Sequence, residues 1–336
     1  MIGFAVPGDL DAPTGGYVYA RRIMVEWQRL GIAYRHIPLD GSFPEPDELA
    51  LRETAVLLAE APRPLLIDGL AYGAFPEMLA AQAGASVLLH HPLCDETGLS
   101  EERKARLFRS ERTALARARH VIVTSPLTAR DVRDRFQVPP ERITVAEPGL
   151  DRAGKAPLDR DPPRLLAVGS VTPRKGYGFL IEALAGCVDL AWICTIQGEM
   201  ERDRAEGARI AALIAQKGLG ERIFMLPPAP DMSRIYGEAD VFVAPSLHEG
   251  YGMAVTEAMA HGLPIVATRA GALPQTAPVA LFASPGDTKS LRVALRTILA
   301  DAALRRRMGE ESYAFARARP GWSTTARVVA EALGAA

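Results

Sequence analysis

The sequence has few cysteines, no long apolar run and almost no net charge. Its three cysteines, Cys94, Cys187 and Cys194, lack the close spacing of a zinc or redox motif, and their odd number argues against a disulfide framework. Charged residues, prolines or glycines interrupt every apolar stretch well short of the roughly 20 residues that a membrane span needs. A formal charge of −1 over 336 residues gives no general attraction to nucleic acid. A disulfide scaffold, a membrane-spanning protein and a charge-driven nucleic-acid binder are therefore disfavoured.

The N-terminal segment also lacks the basic start and the cleavage site of a signal peptide. Residues 1–6 form an apolar, strand-like stretch, so we expect a cytoplasmic protein. The apolar share of 48% is ordinary for a soluble chain. A length of 336 residues is too great for one small core and fits two domains of about 150 residues each.

Short apolar runs alternate with helix-like segments along the whole chain, which is typical of an α/β fold with parallel, doubly wound sheets. In the first half, strands are predicted at 2–6, 33–38, 65–68, 86–90, 120–124 and 143–146, and helices at 16–30, 46–61, 75–83, 101–118 and 126–136. In the second half, strands are predicted at 165–168, 190–196, 223–226, 240–244, 265–268 and 279–282.

A stretch rich in Asp, Pro and Arg divides this pattern into two halves. We predict a Rossmann-like domain over 1–151, a linker over 152–164 and a second Rossmann-like domain over 165–319. The helical pattern from 294 to 319 is interrupted near Asp301. Pro320 and Gly321 then break it, and 320–336 is predicted to carry a last helix.

The most informative motif is Glu249-Gly-Tyr-Gly-Met-Ala-Val-Thr-Glu257, which follows one predicted strand and enters a helix. Its glycines let the backbone approach a ligand closely, and the start of the helix offers free N–H groups to an anion. Glu249 can then accept hydrogen bonds from sugar hydroxyls, and Glu257 can reach a second pair of hydroxyls. A phosphate together with two sets of hydroxyls describes a nucleotide sugar.

A second motif, Leu-Ala-Val-Gly-Ser-Val-Thr-Pro-Arg-Lys-Gly at 166–176, places Arg174 and Lys175 between a strand and a helix. With Pro245-Ser246 before the two glutamates and Glu-Ala-Met-Ala-His-Gly-Leu-Pro at 257–264, the chain resembles the retaining glycosyltransferases of family 4. The resemblance is strongest over the C-terminal half.

This resemblance implies a fold and an activity. The fold is two Rossmann-like domains facing each other across a cleft (GT-B architecture), with the terminal helix crossing back onto the first domain. The activity is transfer of a sugar from a UDP- or GDP-linked donor to a hydroxylated acceptor on the first domain, with retention and without a divalent metal or other cofactor. A nucleotide-sugar epimerase, a non-catalytic sugar-binding protein and a silent scaffold remain alternatives.

The resemblance also assigns residues. Arg174 and Lys175 hold the donor diphosphate, Glu249 the sugar hydroxyls and Glu257 the ribose. The family often has Arg where this chain has Ser170, so Arg174 and Lys175 carry the phosphate contact between them. The implied donor-binding residues are Gly15, Gly16, Ser170, Arg174, Lys175, Gly250, Tyr251, Gly252, Met253 and Glu257. The implied catalytic residues are His90, His91 and Glu249.

Two features of the first half have competing explanations. His90 and His91 end a predicted strand, and alternation along the strand lets only one of them face the site; we favour His90. Cys94, Asp95 and Glu96 follow, which also raises a metal site as a weaker alternative. Residues 101–119 form a basic amphipathic helix that suits a membrane surface, although a solvated face over the protein's own core is favoured.

Overall fold

The computed structural model describes residues 1–96 and 98–335. The chain divides into two compact units, one formed by residues 1–149 with the segment that begins at Pro320, and the other by residues 150–319. In the described part of the chain, each unit contains one six-stranded parallel sheet with helices connecting its strands. The predicted two-domain, Rossmann-like α/β fold class is therefore confirmed.

The first unit has the strand order β2-β1-β3-β4-β5-β6. Its elements are β1 (Ile2–Pro7), α1 (Gly15–Arg29), β2 (Tyr34–Leu39), α2 (Glu48–Ala59), β3 (Leu65–Asp68), α3 (Gly69–Tyr72), α4 (Glu77–Ala83), β4 (Ser86–Leu89), α5 (Glu101–Arg117), β5 (Val121–Val123), α6 (Pro126–Asp134) and β6 (Ile143–Val145). The central strands β1, β3, β4 and β5 are buried along their whole length, because helices cover both faces of a parallel sheet.

The second unit has the strand order β12-β11-β10-β7-β8-β9. Its elements are β7 (Arg164–Val168), α7 (Tyr177–Ala185), β8 (Ile193–Gln197), α8 (Arg204–Gln216), β9 (Ile223–Leu226), α9 (Met232–Gly237), β10 (Val241–Ala244), α10 (Met253–Ala260), β11 (Ile265–Thr268), α11 (Leu273–Thr276), β12 (Leu281–Ala283), α12 (Thr288–Ala300) and α13 (Ala302–Arg317). The strand order reverses between β7 and β10, and the crevice at such a point is where open α/β sheets bind ligands.

The last helix, α14 (Trp322–Ala332), belongs to the first unit. Its backbone carbonyl at Ala326 accepts a 3.0 Å hydrogen bond from Trp27 Nε1 of α1. Thr325 Oγ1 donates to Glu147 O at 2.8 Å, and the ring of Trp322 meets that of Tyr19 edge to face at 5.4 Å. These contacts complete the core of the first unit with residues from the far end of the chain.

Most local predictions agree with the structure. Within the described residues, each of the twelve predicted strands is present, with boundaries displaced by up to three residues. The predicted interruption is also confirmed, because Asp301 ends α12 and its side chain caps α13 by accepting from Leu304 N at 2.8 Å. The four-residue helix α3 had no sequence signal strong enough to predict it.

The segment between β6 and β7 has no helix or strand, yet it is packed. Leu150, Ala156 and Leu158 are buried in the apolar cluster around α10, and Ala156 N donates to His261 O at 2.8 Å. Much of the stretch predicted as a linker is thus built into the second unit.

Helix α5 turns its apolar stripe, including Leu107 and Leu115, into the core of the first unit. This packing accounts for the apolar positions that raised the membrane-surface alternative. Among residues 1–96 and 98–335, no helix combines the length and the apolar character needed to cross a bilayer.

Candidate functional site

The loops that follow β7 and β10 lie side by side, because these two strands are neighbours in the sheet. Leu247 N donates to Arg174 O at 2.7 Å and joins the two loops. Gly176 has φ +68°, and a Cβ at that position would lie 2.1 Å from Pro245 O. Only glycine permits this conformation and approach, so Gly176 is required for the two motifs to meet.

Three charged side chains meet where the loops touch: Arg174, Lys175 and Glu249, which we call the cation cluster. Lys175 Nζ donates to Glu249 Oε1 at 2.6 Å, and Arg174 Nη1 lies 3.4 Å from Glu249 Oε2. Each of these side chains is less than one fifth exposed. Two cations and one carboxylate leave the cluster with one formal positive charge, which favours an anionic ligand.

Glu249 stays ionised in this setting. Burial alone would raise the pKa of its carboxyl, but Lys175, Arg174 and the hydrogen bond from Ser246 Oγ outweigh burial and lower that pKa to about 2. The carboxylate is therefore an acceptor of hydrogen bonds at neutral pH and does not serve as a proton donor. The backbone of Glu249 is also fixed, since its carbonyl accepts from Ala272 N at 2.9 Å.

A small cavity of about 30 Å³ lies beside this cluster. Lys175, Glu249, Gly252 and Met253 are among the residues that line it. Gly252 adopts φ +95° immediately before α10, which lets the loop enter the helix within this confined space. The cavity and the first turns of α7 and α10 therefore share one edge of the second unit.

Glu257 lies on α10 and has a different partner from Glu249. Its Oε2 accepts a 2.7 Å hydrogen bond from the hydroxyl of Tyr236 on α9. The motif thus presents one carboxylate among cations and a second one against a buried tyrosine.

The remaining predicted donor-binding residues of this unit occupy varied positions. Ser170 is half-buried in the loop after β7, while Gly250 and Met253 flank the start of α10. The side chain of Tyr251 is 5% exposed, and its hydroxyl accepts from Arg319 Nη2 at 2.8 Å. The Tyr251 side chain therefore packs inside the second unit. The backbone of Tyr251 lies in the Gly-rich turn between Gly250 and Gly252.

In the first unit, the structure brings Gly16 and His90 together, and Gly15 is the first residue of α1. Gly16 lies in the first turn of α1, and a Cβ there would be 3.2 Å from the His90 ring. His90 also packs edge to face on Tyr19 at 5.3 Å, and its Nε2 lies 3.6 Å from Asp68 Oδ2. The imidazole is thus held between the start of α1 and a 5%-exposed carboxylate.

His91 points to a different neighbour. Its Nε2 lies 3.5 Å from Glu96 Oε2, whereas His90 Nε2 lies near Asp68. Both histidines follow β4, which ends at Leu89, so strand alternation does not account for their different neighbours. Asp95 is held by Arg135 through contacts of 2.6 and 2.7 Å, and burial raises the pKa of the Cys94 thiol to about 12. Over residues 1–96 and 98–335, no group of three or more His, Cys, Asp or Glu side chains is arranged to hold a metal ion.

Three side chains that shape these regions were not identified from the sequence: Asp68, Glu111 and Tyr236. Glu111 is fully buried on α5 and accepts hydrogen bonds from Leu93 N at 2.7 Å and Cys94 N at 3.2 Å. A glutamate facing the apolar stripe of an otherwise amphipathic helix was the available signal. For Asp68, the signal was a carboxylate that ends an apolar strand.

Comparison with known proteins places these features in a family. Residues 152–315 match the model described as glycosyl transferases group 1, and residues 71–153 match that of glycosyltransferase family 4. A D-inositol 3-phosphate glycosyltransferase from Mycobacterium sp. (strain KMS) is 31% identical over 177 residues. That alignment covers 49% of this chain and 40% of the relative, so the chain matches less than half of that protein's length.

Solved structures show the same fold over the whole chain. The sucrose-phosphate synthase from Thermosynechococcus elongatus has a TM-score of 0.81 at 21% identity, with 98% of each chain covered. The Anabaena protein HepE, solved in complex with UDP-glucose, has a TM-score of 0.78 at 18% identity, covering 99% of this chain and 100% of its own. The two family matches together span residues 71–315, and the chain belongs to the glycosyltransferases of this group 1 and family 4 type.

Proposed function

We propose that the protein transfers a sugar from a nucleoside diphosphate sugar to a hydroxylated acceptor, with retention at the anomeric carbon and without a divalent metal. The donor is a UDP- or GDP-linked sugar bound on the second unit, and the acceptor is bound on the first. HepE supports this donor class, since that protein has the same fold and was solved in complex with UDP-glucose.

The cation cluster is the observation that carries the proposal. Lys175 and Arg174 are partly buried, and both cations contact the Glu249 carboxylate, while Arg174 Nη1 also donates to His248 O at 2.9 Å. Such a pair suits a diphosphate, whose charge grows as it leaves the sugar, because fixed cations in a partly desolvated site stabilise developing negative charge.

The proposed step is a front-face displacement. The acceptor oxygen forms its bond to the anomeric carbon while the bond between that carbon and the diphosphate oxygen breaks. The departing diphosphate takes the acceptor's proton, so the protein needs no covalent nucleophile. Its contribution is to position both substrates and to stabilise the leaving charge.

The remaining proposed roles rest on the resemblance to family 4, together with the positions of the side chains. Glu249, ionised and held by Ser246, accepts hydrogen bonds from the hydroxyls of the donor sugar. Glu257, further along α10, accepts from the ribose. His90 is the proposed catalytic residue of the first unit, because its ring lies against Gly16 at the start of α1. His91 is a weaker candidate, since it lies beside Glu96 instead.

The test is a transfer assay on the purified chain with a panel of UDP- and GDP-linked hexoses. Release of nucleoside diphosphate is measured with and without acceptors, among them D-inositol 3-phosphate, which the name of one relative suggests. We expect acceptor-dependent release with one donor, and a product whose anomeric configuration by NMR matches that of the donor.

Two outcomes would contradict the proposal. Conversion of the donor sugar to its epimer without an acceptor would favour a nucleotide-sugar epimerase. Binding of a free sugar with no affinity for any nucleotide would favour a sugar-binding protein.

A further inference from the structure

Helices α9 and α10 face each other through two matched pairs of polar side chains. Ser233 and Tyr236 lie three residues apart on α9, and Glu257 on α10 lies four residues before His261, the C-cap residue of that helix. These spacings place each pair on one face of its helix. Ser233 contacts His261 Nε2 at 2.9 Å, and Tyr236 donates to Glu257 Oε2 at 2.7 Å. We call these four residues the α9–α10 clamp.

The hydrogen bonds of the clamp have a fixed direction. His261 Nδ1 lies 2.8 Å from the backbone carbonyl of Glu257. Because a carbonyl oxygen only accepts, His261 Nδ1 must carry a proton, and in the neutral ring Nε2 then accepts from the Ser233 hydroxyl. The ring is thus anchored to both helices and does not rotate freely.

This anchored ring holds Tyr236 in place. The Tyr236 and His261 rings stack at 5.1 Å with an interplanar angle of 26°, and Phe242 packs on Tyr236 at 6.0 Å. Tyr236 is 2% exposed, and burial together with Glu257 raises the pKa of its hydroxyl well above the ordinary value. The hydroxyl therefore keeps its proton and acts as a donor at a fixed point.

We propose that Tyr236 is a positioning residue for the nucleoside: by holding Glu257 Oε2, it sets the carboxylate rotamer that presents Oε1 to the ribose diol. This inference rests on the proposed function, which assigns Glu257 to the ribose. Each carboxylate oxygen has two acceptor sites, so Glu257 can bind Tyr236 and a diol at once. A glutamate side chain free to change rotamer would lose more conformational entropy on binding the diol.

The experiment compares ligands with and without the diol. Calorimetry on the full chain measures the dissociation constants of UDP, GDP and ADP, and then of the 2′,3′-dideoxy form of whichever binds most tightly. Phe at position 236 keeps the ring and both aromatic contacts, so Tyr236→Phe removes only the hydroxyl. We expect Tyr236→Phe to weaken the ribonucleotide about tenfold, the scale of one hydrogen bond to a charged group, and the dideoxy form by less than about twofold.

A matched control removes another buried tyrosine hydroxyl. Tyr72 in the first unit is fully buried, and its hydroxyl donates to Ala80 O at 3.3 Å. Tyr72→Phe is expected to leave both dissociation constants unchanged. Glu257→Gln provides the positive reference, with a loss that also depends on the ribose hydroxyls.

The outcomes separate the inference from the function on which it rests. Equal weakening of both ligands by Tyr236→Phe, or no weakening of either, overturns the inference if Glu257→Gln still shows a diol-dependent loss. If the wild-type protein binds none of the three nucleotides, or if the loss in Glu257→Gln does not depend on the diol, the assignment of Glu257 to the ribose fails and the inference fails with it.

Discussion

The two units each bury a glutamate, and the two carboxylates have opposite electrostatic surroundings. Glu249 in the second unit is 8% exposed and lies against Lys175 and Arg174, and the pKa of its carboxyl is lowered to about 2 despite burial. Glu111 in the first unit is fully buried and accepts from two backbone N–H groups. Burial raises the pKa of Glu111 to about 7, because those N–H groups only partly offset the loss of water.

The different surroundings of Glu111 and Glu249 separate a structural role for a buried carboxylate from a role in a charged site. Backbone N–H groups fix the orientation of Glu111 and hold the turn after His91, but they supply no net charge. The cations around Glu249 supply more positive charge than the carboxylate neutralises. Burial of an acid is therefore not in itself a mark of a binding site; the surplus of opposite charge is the feature that points to an anionic ligand.

The largest expected effect comes from removing Lys175, one of the two cations beside Glu249. Lys175→Met removes the ammonium group that lies 2.6 Å from Glu249 Oε1. The departing diphosphate then has one cation fewer to stabilise its charge. We expect kcat/KM to fall about a thousandfold, the scale of losing one group that stabilises transition-state charge. The melting temperature should also fall, because a buried carboxylate is left less well paired.

Two further variants separate binding from stability. Lys175→Met with Glu249→Gln should recover much of the melting temperature but none of the activity. Lys217→Met breaks an exposed pair with Glu182 on the same unit and should change neither quantity by much. Wild-type nucleotide affinity in Lys175→Met would remove the cluster from the donor site.

The next largest effect concerns Glu111 and is seen in the pH dependence of stability. The pKa of Glu111 is raised from 4.5 to about 7, so the folded state binds a proton that the unfolded state has released between these values. The contribution of Glu111 to the free energy of unfolding therefore falls as pH rises from 4.5 to 7, by about 3 kcal/mol in total. In Glu111→Gln this decrease should be absent. Any loss of stability caused by the substitution itself should be the same at every pH.

The measurement is denaturant unfolding of the wild type and the variant at pH 5 and pH 8, followed by the fluorescence of Trp27 and Trp322 in the first unit, with Trp192 of the second unit replaced by Phe in both proteins. Glu102→Gln, an exposed carboxylate on the same helix, is the control and should keep the wild-type dependence. The same loss of stability with pH in Glu111→Gln as in the wild type would show that Glu111 is not its source.

A smaller effect sharpens the comparison within the second unit. Glu249→Gln should lower turnover about thirtyfold with nucleoside diphosphate affinity nearly intact, because the free nucleotide has no sugar to contact. Glu257→Gln should weaken the nucleoside diphosphate and its sugar conjugate alike, because both contain the ribose. Titration of each variant with both ligands checks this contrast. Equal effects of the two substitutions on nucleotide affinity would contradict the division of roles.

For the last test, removal of divalent metal ions, no change in activity is expected. If Arg174 and Lys175 carry the diphosphate, transfer should continue at the wild-type rate after treatment with EDTA and gel filtration. Activity assays before and after treatment, with manganese, magnesium and zinc added back, provide the check. Loss of activity that one of these ions restores would replace the cation cluster with a metal as the main source of charge.

Local sequence patterns were sufficient to predict much of the architecture. Near-continuous apolar runs located the strands, as in β1 and β10, because a strand in a covered parallel sheet is buried on both faces. Asp301 marked the break between α12 and α13, because a short acidic side chain caps the next helix. Gly176 marked a turn that other residues would strain. Each of these features is decided within a few residues of the chain.

The tertiary structure alone decided which of these residues meet. Lys175 and Glu249 are 74 positions apart, and they pair because β7 and β10 are neighbours in a sheet whose order the sequence does not state. Tyr236 reaches Glu257, and Glu111 reaches Leu93, only through helix packing. The sequence by itself determined the elements and the chemical groups they carry. Their partners, and with them the charge state of each carboxylate, depend on long-range packing, because burial and the distance between charges arise only once the sheets are assembled.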